Sequence, residues 1–162
     1  MNPIAEMVGE LCKILLPIED RVYFGNSKSS VAVCTLSSMR LLEEIVNSTL
    51  MSKVNIAGRL LSENKGIDLL VRHVISDEKI GTIILCGKDT IGHRPGHSLL
   101  CLYQNGMDRD GKIIGSQSPD PILSLTDGEV SRFQNQVRII DKIGEDDMSN
   151  LGPEISDKTD FQ

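Results

Sequence analysis

The amino-acid sequence predicts an α/β fold, Rossmann-like, with a mostly parallel sheet covered by helices on both faces. Three observations predict it. Residues 31–35 (VAVCT) are a short continuous apolar run with the form of a strand buried on both faces, and 54–58 (VNIAG) and 80–86 (IGTIILC) read as two further strands. Between and after them lie segments whose apolar residues recur at helical spacing. At 162 residues the chain is long enough for one core and too short for two comfortable domains.

Taken in order, Asn2 ahead of Pro3 reads as an N-cap with proline at the first helical position, and Ile4, Met7, Val8, Leu11 and Leu15 then form an apolar face up to Pro17. Residues 25–30 are polar and predict a loop before the first strand at 31–35. Leu41, Leu42, Ile45, Val46 and Leu50 make the face of a second helix. Residues 54–58 are the second strand, Ile67, Leu70, Val71 and Val74 mark a helix, and 80–86 is the third strand. A proline-opened helix is predicted from Pro95 to Asn105, closed by Gly106, where a left-handed conformation is tolerated. Residues 112–115 are expected as a fourth strand. Thr126 and Glu129 form a capping box, after which Val130, Phe133, Val137 and Ile140 predict a last helix ending near Gly144.

Composition narrows the function. Only 3% of residues are aromatic and none is Trp, which argues against stacking bases on rings and makes nucleic acid an unexpected partner. The net charge of -6 is uneven: residues 145–162 hold six acids against Lys158 and contribute -5, leaving the rest near neutral. The expected organisation is therefore one domain at 1–147 and an acidic, disordered tail at 148–162. No apolar stretch approaches a membrane span and no leader pattern opens the chain, so a cytoplasmic location is expected. Cys12, Cys34, Cys86 and Cys101 are widely spaced, without C-x-x-C, and read as reduced thiols serving as small packing residues.

Parallel sheets bind ligands outside the C-terminal ends of their strands, where strand order reverses. The loops to consider are 35–38, 58–64, 87–96 and 115–121. No G-x-G-x-x-G follows a strand, and Gly87-Lys88-Asp89-Thr90 lacks the hydroxyl residue and the upstream glycine of a phosphate-binding loop. His93 and His97 have zinc-like spacing, but Pro95 and Gly96 intervene, no H-E-x-x-H is present and no hydrolase elbow occurs. His93 itself lies between Gly92 and the Arg94-Pro95-Gly96 turn, where small neighbours let a large group approach. A lone loop histidine is more often a surface residue than a ligand. Here the first turn of the following helix would aim its amide dipoles at the ring and favour the neutral imidazole that can donate to a metal. His73, inside a helix, reads as packing or solvent-facing. The run His93-Arg94-Pro95-Gly96 partly echoes the D-x-H-x-x-G loop of cobalamin-binding domains, with Ile91 in place of the Asp and the loop after the third strand rather than the first.

The blocks VAVCTLSS (31–38), VNIAGRLLSENKGIDLLVRHVIS (54–76), IILCGKDTIGHRPGHSLLCLYQNGMD (83–108), KIIGSQSPDPIL (112–123) and RFQNQVRIIDKIGEDD (132–147), in this order, resemble the corrinoid-binding A subunit of the methyl-tetrahydromethanopterin:coenzyme M methyltransferase of methanogenic archaea. The resemblance covers about residues 20–147. It implies a methyltransferase subunit whose domain holds a cobalamin-type corrinoid, with the loop histidine, here His93, as lower axial ligand of cobalt. It further implies that Co(I) accepts a methyl group from methyl-tetrahydromethanopterin and that methyl-Co(III) gives it to coenzyme M. The histidine is held by the methylated metal and released by Co(I), a movement linked in the membrane complex to sodium pumping. The partners implied are the other methyltransferase subunits or a soluble methyltransferase; a non-catalytic corrinoid-binding or regulatory homologue outside the membrane complex is the alternative. Family members continue from an acidic linker into a membrane helix, whereas this sequence stops at Gln162, so a shortened form or a soluble homologue is expected.

Joined to the crevice rule, the resemblance implies a corrin-lining set of Thr35, Ser37, Gly58, Arg59, Asn64, Gly87, Gly92, His93, Gly115 and Pro119, small or hydrogen-bonding residues suited to the amides of a large flat ring. Arg59, Lys65, Lys88 and Arg94 are candidates to attract the cofactor's phosphate, against the plainer reading of solvated charge. Asp89 is the expected carboxylate partner that orients the His93 ring.

Overall fold

The computed structural model describes residues 22–159, with side chains to Ser156. The helix expected from Asn2 to Pro17 lies outside the described residues, as does Cys12. Strands β1 (Val22–Phe24), β2 (Val31–Cys34), β3 (Ile56–Gly58), β4 (Thr82–Gly87) and β5 (Arg138–Ile143) form one sheet in the order β1-β3-β2-β4-β5. The last four are mutually parallel, and β1 runs antiparallel on the outer side of β3, Tyr23 facing Ala57. Helices α1 (Met39–Val46), α2 (Lys65–Ser76), α3 (Pro95–Asn105), α4 (Asp127–Gln136) and α5 (Met148–Thr159) complete the fold, with a short 3-10 helix at Thr49–Lys53.

Alternation along the two central strands explains the layering. Ala32, Cys34, Ile83 and Leu85 pack on one face against Ile67 and Val71 of α2, Leu99 and Leu102 of α3, and Val130 and Phe133 of α4. Val31, Val33, Ile84 and Cys86 pack on the other against Leu41, Leu42 and Ile45 of α1 and Leu151 and Ile155 of α5. This is the expected α/β arrangement with helices on both faces. From β2 the chain moves outward to β3 and then back across β2 to β4, so strand order reverses between β2 and β4, and the crevice at their C-terminal ends is where a ligand is expected.

Three expectations are corrected. Residues 112–115 are not a strand of the sheet; they make isolated antiparallel bridges, Met107 with Ile113 and Lys112 with Ile122, because the place beside β4 is taken by β5. The last predicted helix stops at Gln136, whose side-chain amide donates to the carbonyls of Val74, Asp77 and Ile80, and residues after Val137 continue as β5 rather than as helix to Gly144. The acidic tail is ordered through Thr159: Asp147 caps the start of α5 through Ser149, and fully buried Leu151 and Ile155 anchor it to the sheet. Burying two such side chains stabilises by roughly 1.5–3 kcal/mol each, enough to hold one short helix in place.

Candidate functional site

The C-terminal ends of β2, β3 and β4 and the segment 115–121 are joined by side chains. Leaving β2, Leu36 adopts a left-handed backbone (φ 53), and Ser37 donates to the Lys88 carbonyl from both its amide (3.0 Å) and its hydroxyl (2.6 Å). That contact closes the β2 and β4 ends on each other. Gly87 at the end of β4 has φ 75, and a Cβ there would run into the Thr35 carbonyl and the Ser38 side chain, so only glycine lets the two ends approach this closely.

The loop after β3 brings Glu63, 1% exposed, under the loop after β4. Its carboxylate lies 3.1 and 3.3 Å from Nδ1 of His93 and accepts the Asp120 N–H at 3.2 Å. The next residue, Asn64, caps α2 by accepting from Lys65 N and donates to the backbone and side chain of Asp120. His93 is 59% exposed at its side chain, and its Nε2 has no hydrogen-bond partner among the described residues. Gly92, with φ 90, has no atom within 4 Å of a notional Cβ, so the space beside His93 is open. Arg94 is also left-handed (φ 44) and donates to Gln117 at 2.8 Å. Non-glycine residues in this region are costly, and both stand at the C-terminal end of the sheet.

Three buried side-chain atoms lack a hydrogen-bond partner among the described residues: Thr35 Oγ1, Arg59 Nε and Thr90 Oγ1. Each follows the C-terminal end of one of the three adjacent strands β2, β3 and β4. Buried polar atoms are rarely left unpaired, so these three mark unmet hydrogen-bonding capacity at one end of the sheet. An apolar cavity of about 360 Å³ opens beside Gly58 and Arg59, lined also by Phe24, Ile56, Leu69 and His73.

Of the sequence-predicted residues, Thr35, Ser37, Asn64, Gly87, Gly92, His93 and Pro119 gather on these joined loops; Gly58 and Arg59 stand at the β3 end beside them. Gly115 does not join the group: it packs beside Asn105 and Cys101. Lys88 pairs weakly with Asp146 at 3.9 Å on the surface and Arg94 is engaged by Gln117; among the described residues the ammonium of Lys65 has no side-chain partner, and Arg59 is the phosphate candidate whose unpaired donor, Nε, is buried. Asp89 is not the partner of His93. Its carboxylate accepts the Gly96 and His97 amides at 2.9 and 3.0 Å, capping α3, so those amides do not face His93 as the sequence suggested. The partner is Glu63, which sequence reasoning missed; its one signal was an acid preceding the N-cap Asn64 in a loop otherwise rich in small and apolar residues.

The thiols behave as expected for packing residues. Burial pushes Cys34 up to about 12 and drives Cys86 and Cys101 upward as well. Among the described residues no group of three or more His, Cys, Asp or Glu could hold a metal ion, and no helix is long and apolar enough to cross a membrane.

The family model for the A subunit of tetrahydromethanopterin S-methyltransferase (MtrA) matches residues 16–160. The A subunit of a putative methyltransferase, Mtx, from Methanosarcina acetivorans is 34% identical over 145 residues, 89% of this chain and 70% of that protein. The tetrahydromethanopterin S-methyltransferase A subunit of Methanosphaera stadtmanae is 38% identical over 87% of this chain and 56% of its own length. Its counterpart of the same name in Methanococcus aeolicus is 36% identical over 82% of this chain and 55% of its own. The chain thus spans little more than half the length of the latter two.

Proposed function

The chain belongs to the MtrA family, the A subunits of tetrahydromethanopterin S-methyltransferase, and from that premise we propose that it is a corrinoid-carrying methyltransferase subunit, with His93 as the lower axial ligand of the cobalt. One observation carries this reading: His93 is exposed toward open space while its Nδ1 is held by the buried Glu63 carboxylate. A metal-bound histidine is ordinarily held through its second nitrogen by a carboxylate, which fixes the tautomer that leaves a lone pair on the other nitrogen. A single imidazole cannot trap a free ion, but it suits a metal already enclosed in a macrocycle that needs one ligand from below.

The remaining residues fit such a ring. The unpaired Thr35 hydroxyl, Arg59 guanidinium and Thr90 hydroxyl have hydrogen bonds to give to peripheral amides or a phosphate. Gly92 leaves the space beside His93 open, Gly87 lets the β2 and β4 ends close on each other, and Gly58, Ser37, Asn64 and Pro119 border the site. The corrinoid would supply the methyl-transfer chemistry, between methyl-tetrahydromethanopterin as donor and coenzyme M as acceptor. The chain's own part is to hold the ring, to present Nε2 and to keep Nδ1 protonated against Glu63. Its partners in this reading are other subunits of the methyltransferase or a soluble methyltransferase, which bring the two substrates to a cytoplasmic carrier.

The test is reconstitution with cobalamin followed by gel filtration, with pigment and cobalt expected to elute with the protein. Reconstitution with a corrinoid lacking its own base should give a Co(II) EPR spectrum split by one axial nitrogen. The splitting should vanish in His93→Ala and persist in His97→Ala. Colourless protein, or splitting that follows His97 instead, overturns the assignment.

A further inference from the structure

Beneath the His93 loop lie three serine hydroxyls in a row. Ser118 Oγ donates to the His93 carbonyl, Ser98 Oγ is 2.6 Å from Ser118 Oγ, and Ser116 Oγ is 2.6 Å from Ser98 Oγ. Ser98 is fully buried and Ser118 nearly so. The direction of this chain is dictated by proton count. Ser118 Oγ faces two carbonyls, the nearer on His93 and a second on Arg94 at 3.4 Å, and a carbonyl oxygen only accepts, so Ser118 spends its one proton on this backbone, chiefly on His93; the Ser98 contact must then be a donation to Ser118, which uses the Ser98 proton; the Ser116 contact must be a donation to Ser98. Ser116 in turn accepts the Ser118 amide at 3.1 Å. The direction of each serine–serine bond is thereby fixed, and hydrogen bonds aligned head to tail polarise one another toward the His93 backbone.

The segment that carries Ser116 and Ser118 also carries Asp120, whose N–H donates to Glu63, and Gln117, which accepts from Arg94. The His93 residue is therefore gripped at two places from one strap: its ring through Glu63 and its backbone through Ser118. We infer that Ser118, backed by Ser98, is a positioning residue for the His93 imidazole. The inference rests on the corrinoid reading only for its consequence; the positioning itself is a property of the protein without cofactor. Loosening the carbonyl frees a turn that already holds Arg94 in a left-handed conformation and lets the ring drift from the direction Glu63 sets. Loss of one neutral hydrogen bond corresponds to about a 5-fold change in the fraction of correctly placed rings, or about 1 kcal/mol.

The experiment uses the whole chain in four forms: wild type, Ser118→Ala, Ser118→Thr and Ser98→Ala. Nitrogen-15 spectra of histidine-labelled, cofactor-free protein report the ring of His93, with His73 on α2 as an internal control. Binding of a base-free cob(II)inamide then reports nitrogen ligation by EPR. Ser118→Ala should shift the His93 ring signals, leave those of His73, and weaken ligation about 5-fold. Ser118→Thr should restore both, and Ser98→Ala should move both in the Ala direction by less. A merely structural role would lower the melting temperature and leave the ring signals in place; unchanged His93 signals in folded Ser118→Ala overturn the inference. Should that variant not fold, unchanged signals in Ser98→Ala overturn it. If wild-type protein gives no nitrogen splitting, the corrinoid reading fails on that arm, while the cofactor-free spectra still decide the positioning role.

Discussion

Replacing Glu63 with Gln exchanges one carboxylate oxygen for an NH2 group in a fully enclosed place and should switch the tautomer of His93. Glu63 has acceptors only, and it meets two donors, the Asp120 N–H at 3.2 Å and His93 Nδ1 at 3.1 Å to the nearer oxygen. Glutamine keeps the shape but offers one oxygen and one NH2 group. If its oxygen stays with the Asp120 N–H, its NH2 faces Nδ1, and two donors cannot meet. The ring escapes the clash by moving its proton to Nε2, so that Nδ1 accepts; Nε2 then has no lone pair for a metal. A hydrogen bond to a charged group contributes about 1.5–3 kcal/mol and a neutral one about 1, a difference near 1 kcal/mol before any tautomer cost, and lost carboxylate partners of metal-bound histidines weaken metal affinity about 10–100-fold. The expectation is at least a tenfold weaker nitrogen ligation of base-free cob(II)inamide by EPR titration, about 1.4 kcal/mol or more, with Nε2–H replacing Nδ1–H in nitrogen-15 spectra. Thermal stability should fall by no more than about 1 kcal/mol, the difference between a charged and a neutral hydrogen bond, so the variant stays folded for the measurement. Unchanged ligation together with a retained Nδ1–H would refute the reasoning.

Two further outcomes test the fold. Leu151→Ala removes a fully buried side chain from α5 and should cost about 2–5 kcal/mol in urea denaturation; a cost typical of a surface site would mean that α5 is not docked on the sheet. Stability should also fall in alkali. The unfolded Cys34 thiol ionises near 9 while the folded one keeps its proton to about 12, so the unfolded state binds fewer protons between these values and stability declines as pH rises through that window. Cys34→Ala should flatten the decline, and an unaltered alkaline slope would count against a buried, protonated Cys34.

The fold was legible wherever one physical signal dominated. Residues 31–34 and 83–86 are apolar without interruption because β2 and β4 are covered on both faces, and Thr126 with Glu129 forms the expected capping box, both reciprocal bonds included. Errors arose where two signals coincide. Val130, Phe133, Val137 and Ile140 have helical spacing across a boundary that falls at Val137, because β5 is an edge strand with half-buried residues and imitates an amphipathic pattern. Gly152-Pro153 among acids reads as a broken, solvated tail, yet Pro153 is tolerated within α5 while Leu151 and Ile155, four apart, face the sheet. Strand β1 is only three residues, and its pairing with β3 is a tertiary event with no local signature.

The site divides along the same line. The histidine was legible because its neighbours are small and it follows a central strand; its partner was not, because partnership is decided by how loops cross. Asp89 is four residues from His93 in sequence and is spent on the first amides of α3, a local need that an acid ahead of a helix meets at short range. Glu63 is thirty residues away and reaches the ring because β3 and β4 lie on either side of β2, whose end is closed by the Ser37 contact to Lys88. Sequence proximity favours the capping role, and only the crossing of the sheet supplies a carboxylate with no helix to cap. The same crossing leaves Thr35 Oγ1, Arg59 Nε and Thr90 Oγ1 buried without a partner among the described residues, an unmet polar capacity that makes this end of the sheet costly to fold and that the proposed ring would relieve.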